Sequence, residues 1–180
     1  MNLKALKRCS PESLQQQTIA AVLLALGSNH QADYYLPQVR KKLAALGQIQ
    51  LSTPFQNPDF TATFEQPKPD YTNQCVYLSL AQSMTLKQLQ QILKQFENDC
   101  NRQRSSKLTK KSIKIVTMDI DILLIKPSIA KNSLSKNLES NCKHKDTREW
   151  IIMADRYPFK AHEVIGIEEL ALTRKTNNDR

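Results

Sequence analysis

Ile113-Lys114-Ile115-Val116-Thr117-Met118-Asp119-Ile120-Asp121-Ile122-Leu123-Leu124-Ile125 is a strand sequence with two acids inside it. Its β-branched and apolar residues predict a buried strand. Side chains on a strand alternate between faces, so Asp119 and Asp121 share one face, with Cα atoms roughly 6.6 Å apart. Two carboxylates that close on a dry, rigid element are costly unless a cation compensates them. Magnesium is such a cation, a hard ion that takes oxygen ligands together with substrate phosphates. The plainer alternative is a pair of strand-end aspartates bonded to a neighbouring Lys or Arg.

The residues just upstream favour the metal. Residues 100–118 contain no acid and carry Arg102, Arg104, Lys107, Lys110, Lys111 and Lys114. A basic, polar segment leading into a diacid strand suits a polyphosphate that arrives with magnesium. The carboxylates would hold metal while the cations clamp phosphate oxygens. Otherwise the run is a solvated charged face.

Composition narrows the field. The chain has 180 residues and a net charge of +9, which predicts a single core and an anionic partner. No apolar run approaches the roughly 18 residues needed to span a bilayer, so no membrane is expected. The first 17 residues, MNLKALKRCSPESLQQQ, lack a continuous apolar core and do not read as a secretory signal. The four cysteines form no C-x-x-C pair, which argues against structural zinc and for a reducing cytoplasm. Three glycines, at 27, 47 and 166, cannot build a glycine-rich phosphate loop. Phosphate must then be bound by side chains. The Lys and Arg are not interleaved with aromatics, so nucleic acid is not an expected partner.

The remaining pattern alternates strands and helices. Residues 20–26 predict a strand that stops at Gly27-Ser28-Asn29. A helix is expected over 35–46, with Pro37 in its first turn and Gly47 as its C-cap. Residues 49–55 predict a short strand, 56–70 a proline-containing loop, and 73–81 another strand. Thr85-Leu86-Lys87-Gln88 is a capping box opening a helix to about 99, striped by Leu86, Leu89, Leu93 and Phe96. After the diacid strand, residues 126–147 are polar and predict a flexible insertion. Residues 150–153 predict a strand and 166–172 part of a last helix. The order β-α-β-β-α-β is that of an α+β, ferredoxin-like sandwich, an antiparallel sheet with helices packed on one face. One domain over 19–175 follows a flexible N-terminal extension over 1–18.

Four motifs, in order, resemble the 6-hydroxymethyl-7,8-dihydropterin pyrophosphokinases of folate biosynthesis. They are Ala25-Leu26-Gly27-Ser28-Asn29; Pro69-Asp70-Tyr71-Thr72-Asn73; Glu97 near a helix end, followed by Arg102 and Arg104; and Thr117-Met118-Asp119-Ile120-Asp121-Ile122-Leu123-Leu124. The likeness runs with gaps from about 20 to 170. It implies the sandwich fold and transfer of the β,γ-diphosphate of ATP to the pterin hydroxymethyl group, with two magnesium ions. Carried over, Asp119 and Asp121 hold the metals, and Arg102 sits by the transferred phosphates. Tyr71 and Asn73 bind the pterin, and Glu97, Arg104 and Tyr157 contact the nucleotide. Ser28 and Asn29 shape the turn beneath the site.

The chain also departs from the family. The segment before the diacid has no tryptophan, and Val116 stands where the family has an arginine, so Lys114 or Lys111 is expected to supply that charge. Pro-His-Tyr becomes Asp155-Arg156-Tyr157, and Arg-x-Phe becomes His162-Glu163-Val164. Val164 thus removes an aromatic wall that Phe159 is expected to replace. Two alternatives stay open: a diphosphotransferase acting on another alcohol, and a paralogue that binds nucleotide or a partner without catalysis.

Overall fold

The computed structural model describes residues 2–59, 62–65, 67–102, 115–128 and 149–178. Arg104, Lys107, Lys110, Lys111, Lys114 and residues 129–147 of the expected insertion lie outside the described residues. Seven strands, β1 (Lys7–Cys9), β2 (Thr18–Ser28), β3 (Gly47–Leu51), β4 (Phe55–Asn57), β5 (Tyr71–Thr85), β6 (Asp119–Pro127) and β7 (Ile151–Met153), form one sheet. Its order is β1-β7-β6-β2-β5-β3, with β4 also pairing with β5. The helices are α1 (Ala32–Leu46), α2 (Leu86–Asp99) and α3 (Ala161–Asn178).

The inner four strands, β6-β2-β5-β3, are antiparallel to their neighbours. α1 joins β2 to β3 across β5, and α2 joins β5 to β6 across β2. These two interleaved β-α-β units make the expected ferredoxin-like sandwich. The expectation of helices on one face holds for α1 and α2 only. Their residues Val39, Leu43, Leu89 and Leu93 pack with Val22, Leu24, Val76 and Leu78 of the sheet. Ile167 and Leu170 of α3 pack instead with Leu23, Cys75, Tyr77 and Leu123 on the opposite face. Alternate side chains of β2 and β5 are apolar on both faces, so the sheet needs cover on both sides.

Local chemistry accounts for the boundaries. Thr85 accepts the Gln88 backbone N–H at 3.2 Å while Gln88 accepts the Thr85 N–H at 2.9 Å, the expected capping box. α1 starts three residues earlier than its pattern suggests. Gln31 takes the left-handed conformation at φ 50°, and its carbonyl accepts from Tyr34 and Tyr35. Pro37 therefore lies in the second turn, where its missing N–H leaves one helical bond unmade. Gly47 is extended rather than a left-handed cap. Its role is close approach, because a Cβ there would lie 2.0 Å from the Ser79 carbonyl oxygen. The single strand expected over 49–55 is two, β3 and β4, separated by a break that contains Pro54. The loop expected from 56 accordingly begins after Asn57.

Two segments are more ordered into the sheet than their composition suggests. Lys126 and Pro127, assigned to the insertion, continue β6, and Ser128 N–H bonds the Thr18 carbonyl at 2.9 Å. Within the N-terminal 18 residues, β1 pairs in parallel with β7, and Cys9 and Leu14 are buried. The last helix is also longer than 166–172, beginning at Ala161.

A bulge in β6 decides which residues face the site. Leu24 pairs with Ile122 and Leu23 with Leu124, so Leu123 is the extra residue. Ile120 and Ile122 pack on the α1–α2 side, and both Leu123 and Leu124 on the α3 side. Asp119 and Asp121, alternating with Ile120 and Ile122, face the α3 side.

Candidate active site

The register of the sheet sets out the site in rows. Gly27 of central β2 lies between Asn73 of β5 and Asp119 of β6. Two residues deeper, Ala25 lies between Cys75 and Asp121. The middle strand thus contributes little side chain, and the functional groups rise on either side of a shallow floor. Asn73 and Asp119 stand two strand spacings apart, roughly 10 Å.

Over this floor is a cavity of about 390 Å³, walled by Tyr71, Asn73, Asn57, Pro58, His162 and Glu163 and edged by Asp119 and Asp121. Its volume lies in the range of small-ligand sites. A second cavity, about 250 Å³, opens at the edge of β6 that β7 leaves uncovered. Along β6, β7 pairs only with Leu124 and Ile125. This cavity is lined by Gln90, Lys94 and Glu97 of α2, by Ile120 and Ile122, and by Pro11, Asp155 and Arg156. Asp121 is the one described residue that lines both.

The electrostatics centre on Asp121. Burial, and then the charge of Asp119, push its carboxyl up to about 6, against the pull of Arg156 and Lys160. Arg156 Nη2 lies 2.6 Å from Asp121 Oδ2 and 3.5 Å from Glu163 Oε1. The plainer expectation, an aspartate paired with a basic neighbour, is therefore part of what the structure contains. Arg102 Nη2 stands 3.9 Å from Asp119 Oδ1, and its Nη1 donates to the Ile115 carbonyl at 3.4 Å. Two neighbouring carboxylates of hard oxygens, Asp121 strained by burial and Asp119 more than a third exposed, fit a divalent cation.

Each expected residue can now be placed. Asp119, Asp121, Tyr71 and Asn73 come together on the floor cavity, with Arg102 beside Asp119. Burial, then the Asp59 charge, raise the Tyr71 hydroxyl pKa, which keeps the phenol neutral. Glu97 is not a surface acid. It is 4% exposed, lines the edge cavity, and Oε1 accepts the Ile120 N–H at 2.9 Å, which ties α2 to the diacid strand. Ser28 Oγ lies 3.0 Å from the His30 carbonyl and 3.3 Å from that of Val116, its one proton serving either, and Asn29 exchanges two bonds with the Val116 backbone, fastening the turn under the site. Val116 itself is buried.

Other placements differ from expectation. Tyr157 lines neither cavity; its ring stacks edge-on with Phe159 at 5.6 Å and carries the Arg8 guanidinium 3.7 Å above it. Phe159 is held there and does not replace the missing aromatic wall. Val164 is likewise absent from the lining of the floor cavity, which includes His162. Burial lowers the His162 pKa and favours its neutral ring. Arg104 and Lys114 lie outside the described residues.

Arg156, Glu163 and His162 drew attention in the sequence only as departures from a pattern. A usable signal was present. Glu163 is the third residue of α3, and its Oε2 accepts the Lys160 N–H at 2.8 Å while Val164 N–H bonds the Lys160 carbonyl. Lys160-x-x-Glu163 is thus half of a capping box, and it brings the start of the helix to the diacid. Gly166 lets α3 come that close, since a Cβ would lie 2.6 Å from Cys75 Sγ.

The fold is an α+β sandwich whose central rows carry a diacid, and one of its two carboxylates, Asp121, lines both cavities. The family model for 7,8-dihydro-6-hydroxymethylpterin-pyrophosphokinase matches residues 23–150, and the chain belongs to that family. The match includes Tyr71, Asn73, Glu97, Arg102, Asp119 and Asp121, and ends before Arg156 and Glu163. No curated protein matches the chain.

Proposed function

We propose that the chain transfers the β,γ-diphosphate of ATP to the hydroxymethyl oxygen of 6-hydroxymethyl-7,8-dihydropterin. The observation that carries this reading is the position of Asp121, which lines both cavities and stands beside Asp119. A transfer needs a donor and an acceptor on opposite sides of one charge-managing group. Family membership supplies the reaction class.

In this reading the edge cavity takes the nucleotide and the floor cavity the pterin. Asp119 and Asp121 hold two magnesium ions, which when bound supply charge neutralisation to the polyphosphate oxygens. Arg102, already beside Asp119, contacts the transferred phosphates. Glu97 fixes the strand end on which the diacid sits. Tyr71 and His162 wall the flat acceptor, and Asn73 offers its amide to the ring edge. Held in this way, the hydroxymethyl oxygen attacks the β-phosphorus, the bond from that phosphorus to the α-phosphate oxygen breaks, AMP leaves, and the hydroxyl proton is released to solvent. Lys94 and Arg156 are the basic side chains of the edge cavity, set against Glu97, Asp121 and Asp155, so in this reading the metal supplies the positive charge the polyphosphate needs. Cys9, Cys75 and Cys100 are buried, and a reducing cytoplasm is the proposed setting.

The test is binding of a fluorescent dihydropterin analogue with and without magnesium and a non-hydrolysable ATP analogue. Pterin affinity that rises when the metal–nucleotide is present supports the reading. Nucleotide binding with no pterin binding would replace it by the non-catalytic paralogue.

A further inference from the structure

Arg156 is suspended between two carboxylates of different character. Glu163 is buried, and its Oε2 is committed to the Lys160 N–H at the start of α3. Glu163 is therefore a fixed anchor. Asp121, on the other side, is the carboxylate that both cavities share. Arg156 Nη2 reaches both, at 3.5 Å and 2.6 Å, from a position in the wall of the edge cavity. Its Nε is buried and has no hydrogen-bond partner among the described residues. A guanidinium carries five donors in a rigid fork, and the two carboxylate contacts use only part of that fork. The side chain is a quarter exposed, so there is room for it to exchange partners.

Resting on the reading above that the diacid receives magnesium with a polyphosphate, we infer that Arg156 is a resident counter-cation of Asp121 that yields the carboxylate to metal only when phosphate arrives to accept its donors. A bare divalent ion at Asp121 must displace the guanidinium and then sit beside it, cation against cation, with only Glu163 left to hold the arginine. A metal carried by ATP brings several negative oxygens into the same edge cavity. Arg156 can then pass from a carboxylate to a phosphate without losing charge-assisted bonds. Glu163 keeps the guanidinium near during the exchange. The site would thereby discriminate against free metal and take metal and nucleotide together.

The experiment measures manganese binding by paramagnetic resonance, as the ion alone and with a non-hydrolysable ATP analogue. It uses the full chain as wild type, Arg156→Met and Glu163→Gln. Arg156→Met retains bulk without charge, so it should tighten the free ion by about tenfold and weaken the ion–nucleotide complex by about tenfold. Opposite signs in one variant are the signature, because general damage to the fold weakens both. Glu163→Gln keeps an oxygen for the Lys160 N–H and leaves Arg156 wholly to Asp121. It should weaken the free ion several-fold with less effect on the complex, which keeps the test decisive should Arg156→Met fail to fold. Unchanged free-ion affinity in the folded variants, or losses of equal size for both ligands, overturns the inference and leaves the proposed function standing. Failure of the wild type to bind the ion–nucleotide complex overturns both.

Discussion

The two cavities that meet at Asp121 are built by different means. The floor cavity rests on paired strands: Asn73, Gly27 and Asp119 form one row, with Ala25 and Asp121 in the next. Strand pairing fixes those positions, and a slip of one residue would turn every side chain to the other face. The edge cavity adds to Ile120, Asp121 and Ile122 of β6 the side chains of Pro11, of α2 and of the turn after β7, segments far apart in the chain. Their arrangement depends on packing and ion pairs rather than on a ladder. One side of the site is thus specified by register, and the other by the particular contacts of this chain.

The strongest test of that contrast removes the shared residue. Asp121→Ala should leave the strand paired, because removing one of two repelling carboxylates relieves strain, yet lower turnover about a thousandfold or more. Full activity in this variant, measured by AMP release, would break the two-cavity account. Next come changes confined to the floor. Tyr71→Ala should abolish detectable pterin binding and Asn73→Ala weaken it by about a hundredfold, since a site built to hydrogen-bond a ligand suffers when the bond is absent. Nucleotide affinity by titration calorimetry should move less than about twofold in both. Changes at both cavities would mean that the two sides are not separately built.

Arg102→Ala should weaken nucleotide about tenfold through loss of a charge-assisted contact, and, because Arg102 stands beside Asp119 at the floor cavity, it probes the junction of the two sides. Acidity gives a comparable effect. The Asp121 carboxyl titrates at about 6 in the folded chain, against an ordinary value of 3.8, because of burial and then Asp119. Between those values the folded chain keeps a proton that the unfolded chain has lost, so metal-free stability falls as pH rises through this window. Asp121→Asn should therefore melt higher than wild type above pH 6 without magnesium, the gap closing toward pH 4. Magnesium–nucleotide affinity should fall by up to about tenfold per unit as pH drops below 6, since metal must displace the proton. A melting difference independent of pH would show that Asp121 is not strained by its charge. The smallest effect is expected for Val164→Phe, less than about twofold on pterin affinity, because Val164 does not line the floor cavity.

This contrast also explains what could be read in the sequence. The period-two strand around Asp119 and Asp121, the capping box at Thr85, and the apolar stripe of α2 are local signals, and local physics decides them. The β-α-β-β-α-β order and the floor residues Tyr71, Asn73, Asp119 and Asp121 followed from those signals and the family motifs. Of the edge cavity beyond β6, only Glu97 was named as a site residue, through the family motif, and its contacts were not. Glu97 carries no mark of whether its carboxylate meets solvent or the Ile120 N–H, since that depends on where β6 lies against α2. Arg156 and Glu163 meet Asp121 across 35 and 42 residues of chain, respectively, and are brought to it by the short strand β7 and the packing of Gly166 on Cys75. β1 is concealed by its brevity. Three residues have no period, and only the edge of β7 gives them a partner.

The extra residue Leu123 has a further consequence for how such a strand can change. Upstream of it, Asp119 and Asp121 are held against Gly27 and Ala25; downstream, Leu124 and Ile125 are held against Leu23 and Val22. The bulge separates these two ladders, as a joint separates two rods that turn independently. A bulge also adds local twist. The acidic end of the strand can therefore be rotated toward a differently shaped acceptor over many generations while the buried end keeps its packing. Chemistry and structural integrity share one strand here without being bound to vary together.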